Sequence, residues 1–423
     1  MGSSGGQPVD SPRLIRADGA IDAAGCAVSP AAMLVRQGRV EVVDRPQAIG
    51  QVDAVIEQVR GLLLPGLVNA HAHLDLSGQG IWPPAGNDFR GWVGQVRALR
   101  ARRTAKEVAA AVEQGIGLAL AGGTCLIGDI AGDPAAASIN ALAASPLQGV
   151  AWVEVFGLGS GAAAGIQRVE DICGDWPEQF DGIRVGISPH APYSCDRSIY
   201  MAAADTGRPV STHLAELKPE LEFLQSGSGP LRDMLEHDIG VWSAQVEIPG
   251  CHPVDHLAEP LGQCAALCAH CNWIEREHAQ RLAQLGVCVV YCPRASRAFG
   301  HSPPTLPSHP WQMLSAAGVK VCLGTDSLLC LDTPDRLSVL DEMRLLMVRD
   351  GVDPLTLLEM ATVHGAEALG WSRASVCLGP ECRGVLLLPA AGATPREMLE
   401  SAIRGDQLPQ WILPPSRSIS KLS

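Results

Sequence analysis

The sequence predicts an α/β fold, a (β/α)8 TIM barrel with a small β domain formed from both chain ends. Three observations predict it. Eight short apolar runs recur from about residue 61, each followed by a polar turn and a longer stretch of helical character. Polar residues that no core explains stand at the carboxyl ends of those runs. The segments at the two chain ends carry the alternation and the glycine-rich turns of β hairpins.

The runs are GLLLPGLVNAHAH (61–73), GGTCLIGDI (122–130), GVAWVEVFGL (149–158), GIRVGISPHA (182–191), RPVSTHLAE (208–216), CAALCAHCN (264–272), GVCVVYCP (286–293) and VKVCLGTDS (319–327). Each is nearly continuous in apolar character, as a strand buried on both faces must be. Eight such strands alternating with helices close into a parallel barrel. Before them LIRADGAIDAAG and AAMLVRQGRVEVV read as hairpin segments, and after them RGVLLLP reads as one more strand. Residues 1–60 and 373–423 are therefore expected to supply the two parts of the small β domain, around a barrel over 61–372. Two connections, 74–88 and 217–263, exceed ordinary loop lengths and are expected to cover the active face.

A chain of 423 residues, 47% hydrophobic, suits one large enzyme domain and a smaller one. Its formal charge of −13 opposes nucleic acid and anionic membrane surfaces, which are usually met with a basic face. A small-molecule substrate is expected instead. No apolar run approaches the roughly 20 residues of a membrane-spanning helix, and MGSSGGQPVD lacks the layout of a signal peptide, so the expected location is cytoplasmic. Many of the 14 cysteines fall inside apolar strand runs and read as reduced core residues. Cys264, Cys268 and Cys271 lack the second pair that a zinc knuckle needs. Oligomeric state is left open, a homo-oligomer included.

His71 and His73 end the first run, His213 the fifth, His270 the sixth and Asp326 the eighth. Strand ends of a barrel converge on one cavity, so residues far apart in sequence can serve one ion. On a strand, i and i+2 point to the same side, which suits H-x-H to a two-imidazole chelate. Three imidazole nitrogens and one carboxylate oxygen favour Zn2+ or Fe2+ over Mg2+ or Ca2+. Each piece alone has a plainer reading: a lone histidine is commonly hydrogen-bonded structure, and an Asp after Gly-Thr is commonly a cap. Five such residues on four strand ends of one face would need several coincidences at once.

PGLVNAHAHLD (65–75), STHLAE (211–216), AHCNW (269–273), VVYCPRAS (289–296) and LGTDS (323–327) resemble, in this order, the signatures of the amidohydrolase superfamily. The resemblance spans about residues 60–370 and is strongest to the branch of metal-dependent deaminases and triazine hydrolases. HLDLSG, ELEFLQSGSGP and PGCHPVDHL resemble its aminodeoxyfutalosine deaminase-like group. It implies His71, His73, His213 and Asp326 as ligands of one divalent metal ion, Zn2+ first and Fe2+ as the alternative. It implies Glu216 as the proton shuttle, His270 as the group that polarises the substrate, and Asp326 as a catalytic residue as well as a ligand. The four lysines, at 106, 218, 320 and 421, leave none in the third or fourth run to bridge two metals as a carbamylated lysine does in urease-like relatives. A mononuclear site follows.

The implied reaction is hydrolytic deamination of an amino-substituted heteroaromatic ring of purine, pterin or nucleoside type. A bound ion lowers the pKa of its water toward about 7, making hydroxide available at neutral pH. The alternative is hydrolysis of a cyclic amide or of a halo- or alkylthio-triazine at the same site. A non-enzymatic binding protein is disfavoured because no ligand position is lost, and the H-x-E and P-C-x-x-C pattern of the unrelated zinc nucleobase deaminases does not occur. His190, Arg294, Ser77 and Trp82 are expected to meet the substrate. His190 and Tyr193 could equally satisfy a proline-rich loop, and Arg294 a salt bridge. Trp92 falls at helical spacing with Val96 and Leu99 and reads as core. CPRAS replaces the family's usual CP-x-S-N, and VCLGPECRGVLLLP its usual closing segment.

Overall fold

The structure is a computed structural model; it describes residues 11–83, 88–301 and 309–416. All eight expected strands are present: Leu67–Ala72, Thr124–Ala131, Gln148–Val155, Ile183–Pro189, Val210–Leu214, Ala266–His270, Cys288–Tyr291 and Lys320–Leu323. They pair in parallel in that order. Every residue of the first, second, fifth and sixth strands is buried, as both-face packing requires. The first and eighth strands meet through a parallel bridge between Ala72 and Asp326. There the amides of Thr325 and Asp326 donate to the His71 carbonyl at 3.1 and 3.0 Å. Asn69 and Thr325 lock the same joint: the Asn69 amide donates to Thr325 Oγ1 at 2.7 Å and its Oδ1 accepts from the Thr325 N–H at 3.0 Å.

The run 61–73 divides between two sheets. Leu62–Pro65 pairs antiparallel with Val385–Leu388 and parallel with Gly19–Ile21, so the barrel begins only at Leu67. Together with Ala27–Val28 and Gln410–Leu413 these strands make a five-stranded sheet from both chain ends. A second, four-stranded sheet comes from Arg39–Asp44, Ala31–Arg36, Arg13–Ala17 and Val55–Gln58. Residues 1–10, 84–87 of the first long connection, and Lys421 lie outside the described residues.

Helices form where caps and apolar spacing agree. In Ala105–Ala121 the Thr104 hydroxyl accepts from the Glu107 N–H while the Glu107 carboxylate accepts from the Thr104 N–H, a reciprocal capping box. Val108, Val112, Ile116 and Ala119 then share one buried face. Thr394 and Glu397 repeat the box on Pro395–Arg404. The two long connections also contain helices. The first folds into a 3-10 turn, Leu74–Gln79, and leads into helix Phe89–Arg100; the second contains helix Lys218–Ser226 and a π-helical turn, Met234–Ile239. Among the described residues no helix is long and apolar enough to cross a membrane.

Inside the barrel Trp152, on the third strand, is 1% exposed and lies between glycines of its two neighbours. A Cβ at Gly128 would stand 2.3 Å from the indole and 2.3 Å from the Ala70 carbonyl oxygen; at Gly186 it would stand 2.4 Å from the indole. The glycines make room for the ring. Gly128→Ala and Gly186→Ala should each cost about 1–3 kcal/mol through overpacking. Thermal unfolding would show this, and Trp152→Phe should recover part of the loss in the Gly128→Ala background.

The expectation that Arg294 meets the substrate is corrected by the fold. After Tyr291 the chain turns into helix Pro293–Ala298, and Arg294 faces helix Val339–Asp350. Its Nε donates to Glu342 Oε1 at 2.6 Å, its backbone N–H to Glu342 Oε2 at 2.9 Å, and its Nη1 to Thr333 Oγ1 at 2.8 Å and Asp332 Oδ1 at 3.1 Å. Glu342 is fully buried. Arg294→Ala would strand that charge and should lower stability by about 3–5 kcal/mol. An unchanged urea midpoint with a raised KM would restore the substrate role.

Candidate metal centre and active-site cavity

His71 and His73 leave the first strand on one side, and their rings are 5.1 Å apart. His213 arrives from the fifth strand with its ring 5.1 Å from His71 and 5.6 Å from His73. One ring nitrogen from each of these three lies within 4.8 Å of the others, and the same holds for His71, His270 and a carboxylate oxygen of Asp326. Asp326 Oδ1 is 3.5 Å from His73 Nε2. Five donors from four strands therefore surround one point.

The donor set fits a divalent cation. Both ring nitrogens of His71, Nδ1 of His73 and Nε2 of His270 are buried with no hydrogen-bond partner. Leaving such groups unpaired costs about 1–3 kcal/mol each, and a shared ligand would engage one nitrogen of each ring. His213 Nδ1 sits 2.9 Å from the His190 carbonyl oxygen, which fixes the tautomer and leaves Nε2 unprotonated toward the cluster. Burial holds His71, His73 and His270 well below the usual histidine range and lowers His213 to about 4, so all four stay in the neutral form that binds metal. Burial also raises Asp326 to about 7, and burial with repulsion from Asp326 raises Glu216 well above the usual range. A cation among them would reverse that push on Asp326.

The main chain around the cluster is strained in the same places. Ala215, His270, Cys271 and Asp326 all have positive φ, at 47°, 71°, 49° and 60°. Non-glycine residues take that conformation at a cost, and four at the carboxyl ends of the fifth, sixth and eighth strands mark a functional region.

The cluster forms the floor of a cavity of about 730 Å3, where His73, His213, Glu216, His270 and Asp326 are exposed to the space. Its walls are apolar, with Leu76, Trp92, Phe156, Leu235, Trp242 and Phe299 among them. Helix Phe89–Arg100 from the first connection and the 234–242 stretch from the second face each other across it. Arg90 and Asp238, which do not line it, join the two segments through an exposed ion pair.

His190 lines this cavity, and its Nδ1 is 2.7 Å from Ser194 Oγ. Ser77 and Trp82 do not: Ser77 is fully buried, and the Trp82 ring packs edge-on against Trp92 at 6.4 Å. Those two expectations are corrected. Trp92, read from sequence as core, does pack against core clusters and lines the wall as well, because helical spacing marks an apolar face without saying whether core or cavity lies opposite. Sequence reasoning also missed Glu154, which lines the cavity and accepts from Arg100 Nη1 at 2.7 Å, although an acid inside the apolar run WVEVF was a signal. His301, with Nδ1 3.7 Å from Glu216 Oε1, gave no comparable signal. All fourteen cysteines are free.

Comparison with known proteins agrees with this architecture. The family described as the amidohydrolase family matches residues 62–379. The aminodeoxyfutalosine deaminase of Deinococcus radiodurans is 28% identical over 387 residues, covering 85% of this chain and 86% of that one. A 5-methylthioadenosine/S-adenosylhomocysteine deaminase of Dictyoglomus thermophilum is 26% identical over 355 residues, covering 80% and 75%. Among solved structures, Helicobacter pylori aminofutalosine deaminase superimposes with a TM-score of 0.75 at 18% identity, covering 96% of this chain and all of that one. An atrazine chlorohydrolase of Arthrobacter aurescens complexed with zinc gives 0.68 at 19% identity over 90% and 88%. With the family match spanning most of its length and the barrel and donor cluster in place, this chain belongs to the amidohydrolase family.

Proposed function

We propose that this protein is a hydrolytic deaminase of amino-substituted heteroaromatic rings, a purine nucleoside type foremost, and that it uses one divalent metal ion, zinc in the first instance. The observation that carries the reading is the meeting of His71, His73, His213 and Asp326 with Glu216 and His270 on the floor of one apolar-walled cavity. Three of the four relatives above support it by their names as deaminases, while the atrazine chlorohydrolase stands with the alternative. We also place the protein in the cytoplasm, on its fourteen free cysteines.

In this reading His71, His73, His213 and Asp326 hold the ion. When bound, it would supply Lewis acidity that brings the pKa of water toward about 7. Asp326 accepts a proton from the attacking water. Glu216, whose Oε1 is 3.7 Å from His270 Nε2, carries a proton to a ring nitrogen and then to the leaving amine. Water adds to the ring carbon, the exocyclic C–N bond breaks and ammonia leaves. His270 donates to the charge that develops on the tetrahedral carbon's oxygen. The apolar walls exclude bulk water and strengthen each of these contacts. His190 lines the pocket beside His213 and contacts the substrate.

Ammonia release from adenosine, 5′-methylthioadenosine, S-adenosylhomocysteine and aminodeoxyfutalosine tests the reaction. Turnover of a chloro- or alkylthio-triazine with no ammonia from any of the four would select the alternative. The purified protein should carry close to one divalent transition metal per chain, and His71→Ala and His213→Ala should each lose it. Two tightly bound ions per chain would overturn the mononuclear assignment.

Glu216→Gln separates chemistry from metal binding. It removes a titratable group and keeps the shape, so kcat should fall about 10²- to 10⁴-fold with metal content unchanged. His270→Asn should lose about 10²- to 10³-fold, as removal of one oxyanion donor does. Loss of metal from Glu216→Gln would make Glu216 a ligand and overturn this division of roles.

A further inference from the structure

We propose that Glu220 is a positioning residue for Glu216, acting as a clamp on the main chain that carries it; the proposal rests on the proton-transfer role given to Glu216 above. Glu220 is fully buried in the first turn of helix Lys218–Ser226. Its Oε1 accepts from the Ala215 N–H at 2.9 Å and its Oε2 from the Glu216 N–H at 2.9 Å. An acid at the third position of a helix ordinarily reaches back to the N–H of the cap residue, here Leu217. The Leu217 N–H also bonds to this carboxyl, but the two bonds of 2.9 Å go farther upstream, onto the turn that leaves the fifth barrel strand.

That turn needs holding. Ala215 has φ 47°, a conformation that alanine adopts at a cost and that persists only where the surroundings over-determine it. From the other side, the Glu216 carbonyl accepts from Asn272 Nδ2 at 3.0 Å, and Asn272 Oδ1 accepts from Ser296 Oγ at 3.1 Å. The peptide groups on both sides of the Glu216 Cα are thereby fixed. Only its side chain remains to move, with Oε1 3.7 Å from both His270 Nε2 and His301 Nδ1.

The chemistry of Glu220 is unusual for a merely structural residue. It is a fully buried carboxylate whose hydrogen bonds all come from main-chain amides, with no ion-pair partner among the described residues. Burying a carboxylate without a cation is costly. An apolar residue would start the helix at less expense, whereas two acceptors in one rigid group are what two successive N–H donors demand. In this light Ser296, in the divergent CPRAS motif, serves as the far end of the same clamp.

Glu220→Gln keeps the size and places an amide NH2 against one of the two N–H groups. Since a displacement of about 1 Å can cost about 10²-fold, kcat on the fastest of the four nucleosides should fall about 10- to 100-fold, with KM and metal content unchanged. In the Glu216→Gln background the same substitution should cause no further loss. Amide hydrogen exchange at Ala215 and Glu216 should accelerate in Glu220→Gln while the other barrel strands keep their protection. Asn272→Asp, which removes the donor on the other side, carries the same test should Glu220→Gln fail to fold. A kcat within about twofold of the parent, or a loss that multiplies with that of Glu216→Gln, would overturn the clamp. Full activity of Glu216→Gln would overturn the reading beneath it, and the exchange measurement then judges the clamp alone.

Discussion

Everything at the catalytic face depends on how the barrel closes. The eighth strand ends at Leu323, yet the amides of Thr325 and Asp326 still reach the His71 carbonyl, and Asn69 pins Thr325 by its own side chain. His71, whose carbonyl accepts these amides, and Asp326, which donates one of them, both belong to the donor cluster. Closing the sheet and assembling the donor cluster are therefore one event, and the left-handed backbone of Asp326 is the price of turning its carboxylate inward at that joint.

The second constraint is electrostatic. Four neutral imidazoles and two carboxyl groups are buried beside a cavity that no lysine lines among the described residues, and Arg100, which also lines it, is already engaged by Asp75 and Glu154. Such a cluster is unfavourable by itself, because buried carboxylates raise one another's pKa and unpaired imidazole nitrogens forfeit hydrogen bonds. A bound cation would relieve both problems. The fold provides the rigidity that this arrangement needs, and each imidazole with a fixed partner, such as His213 on the His190 carbonyl, lowers the cost of orienting the set.

Much of this was legible in the sequence. Strands buried on both faces must be apolar throughout, so eight runs announced the barrel, and their ends announced His71, His73, His213, His270 and Asp326. What stayed hidden depends on partners distant along the chain. Nothing near Arg294 shows that Glu342 will neutralise it from another helix, nor does the sequence around Glu220 show that its carboxylate bends back to Ala215. The division of the run 61–73 between two sheets was equally silent, because LLLP and LVNAHA have the same apolar character whichever neighbour they find. Ser77 and Trp82 failed for a related reason: position on a long connection says nothing about which side of it faces the cavity.

The ion pair between Arg90 and Asp238 is fastened quite differently from the donor cluster. It spans the two connections that roof the cavity, and it is solvent-exposed at both ends, so water and salt compete for each partner. Around it the roof is held by apolar contacts, Phe89 and Val93 against Met234 and Leu235. The molecule thus couples a floor fastened by buried, fully directed hydrogen bonds to a roof fastened by contacts that reform easily. Rearrangement of these segments therefore need not disturb the hydrogen bonds that hold the floor.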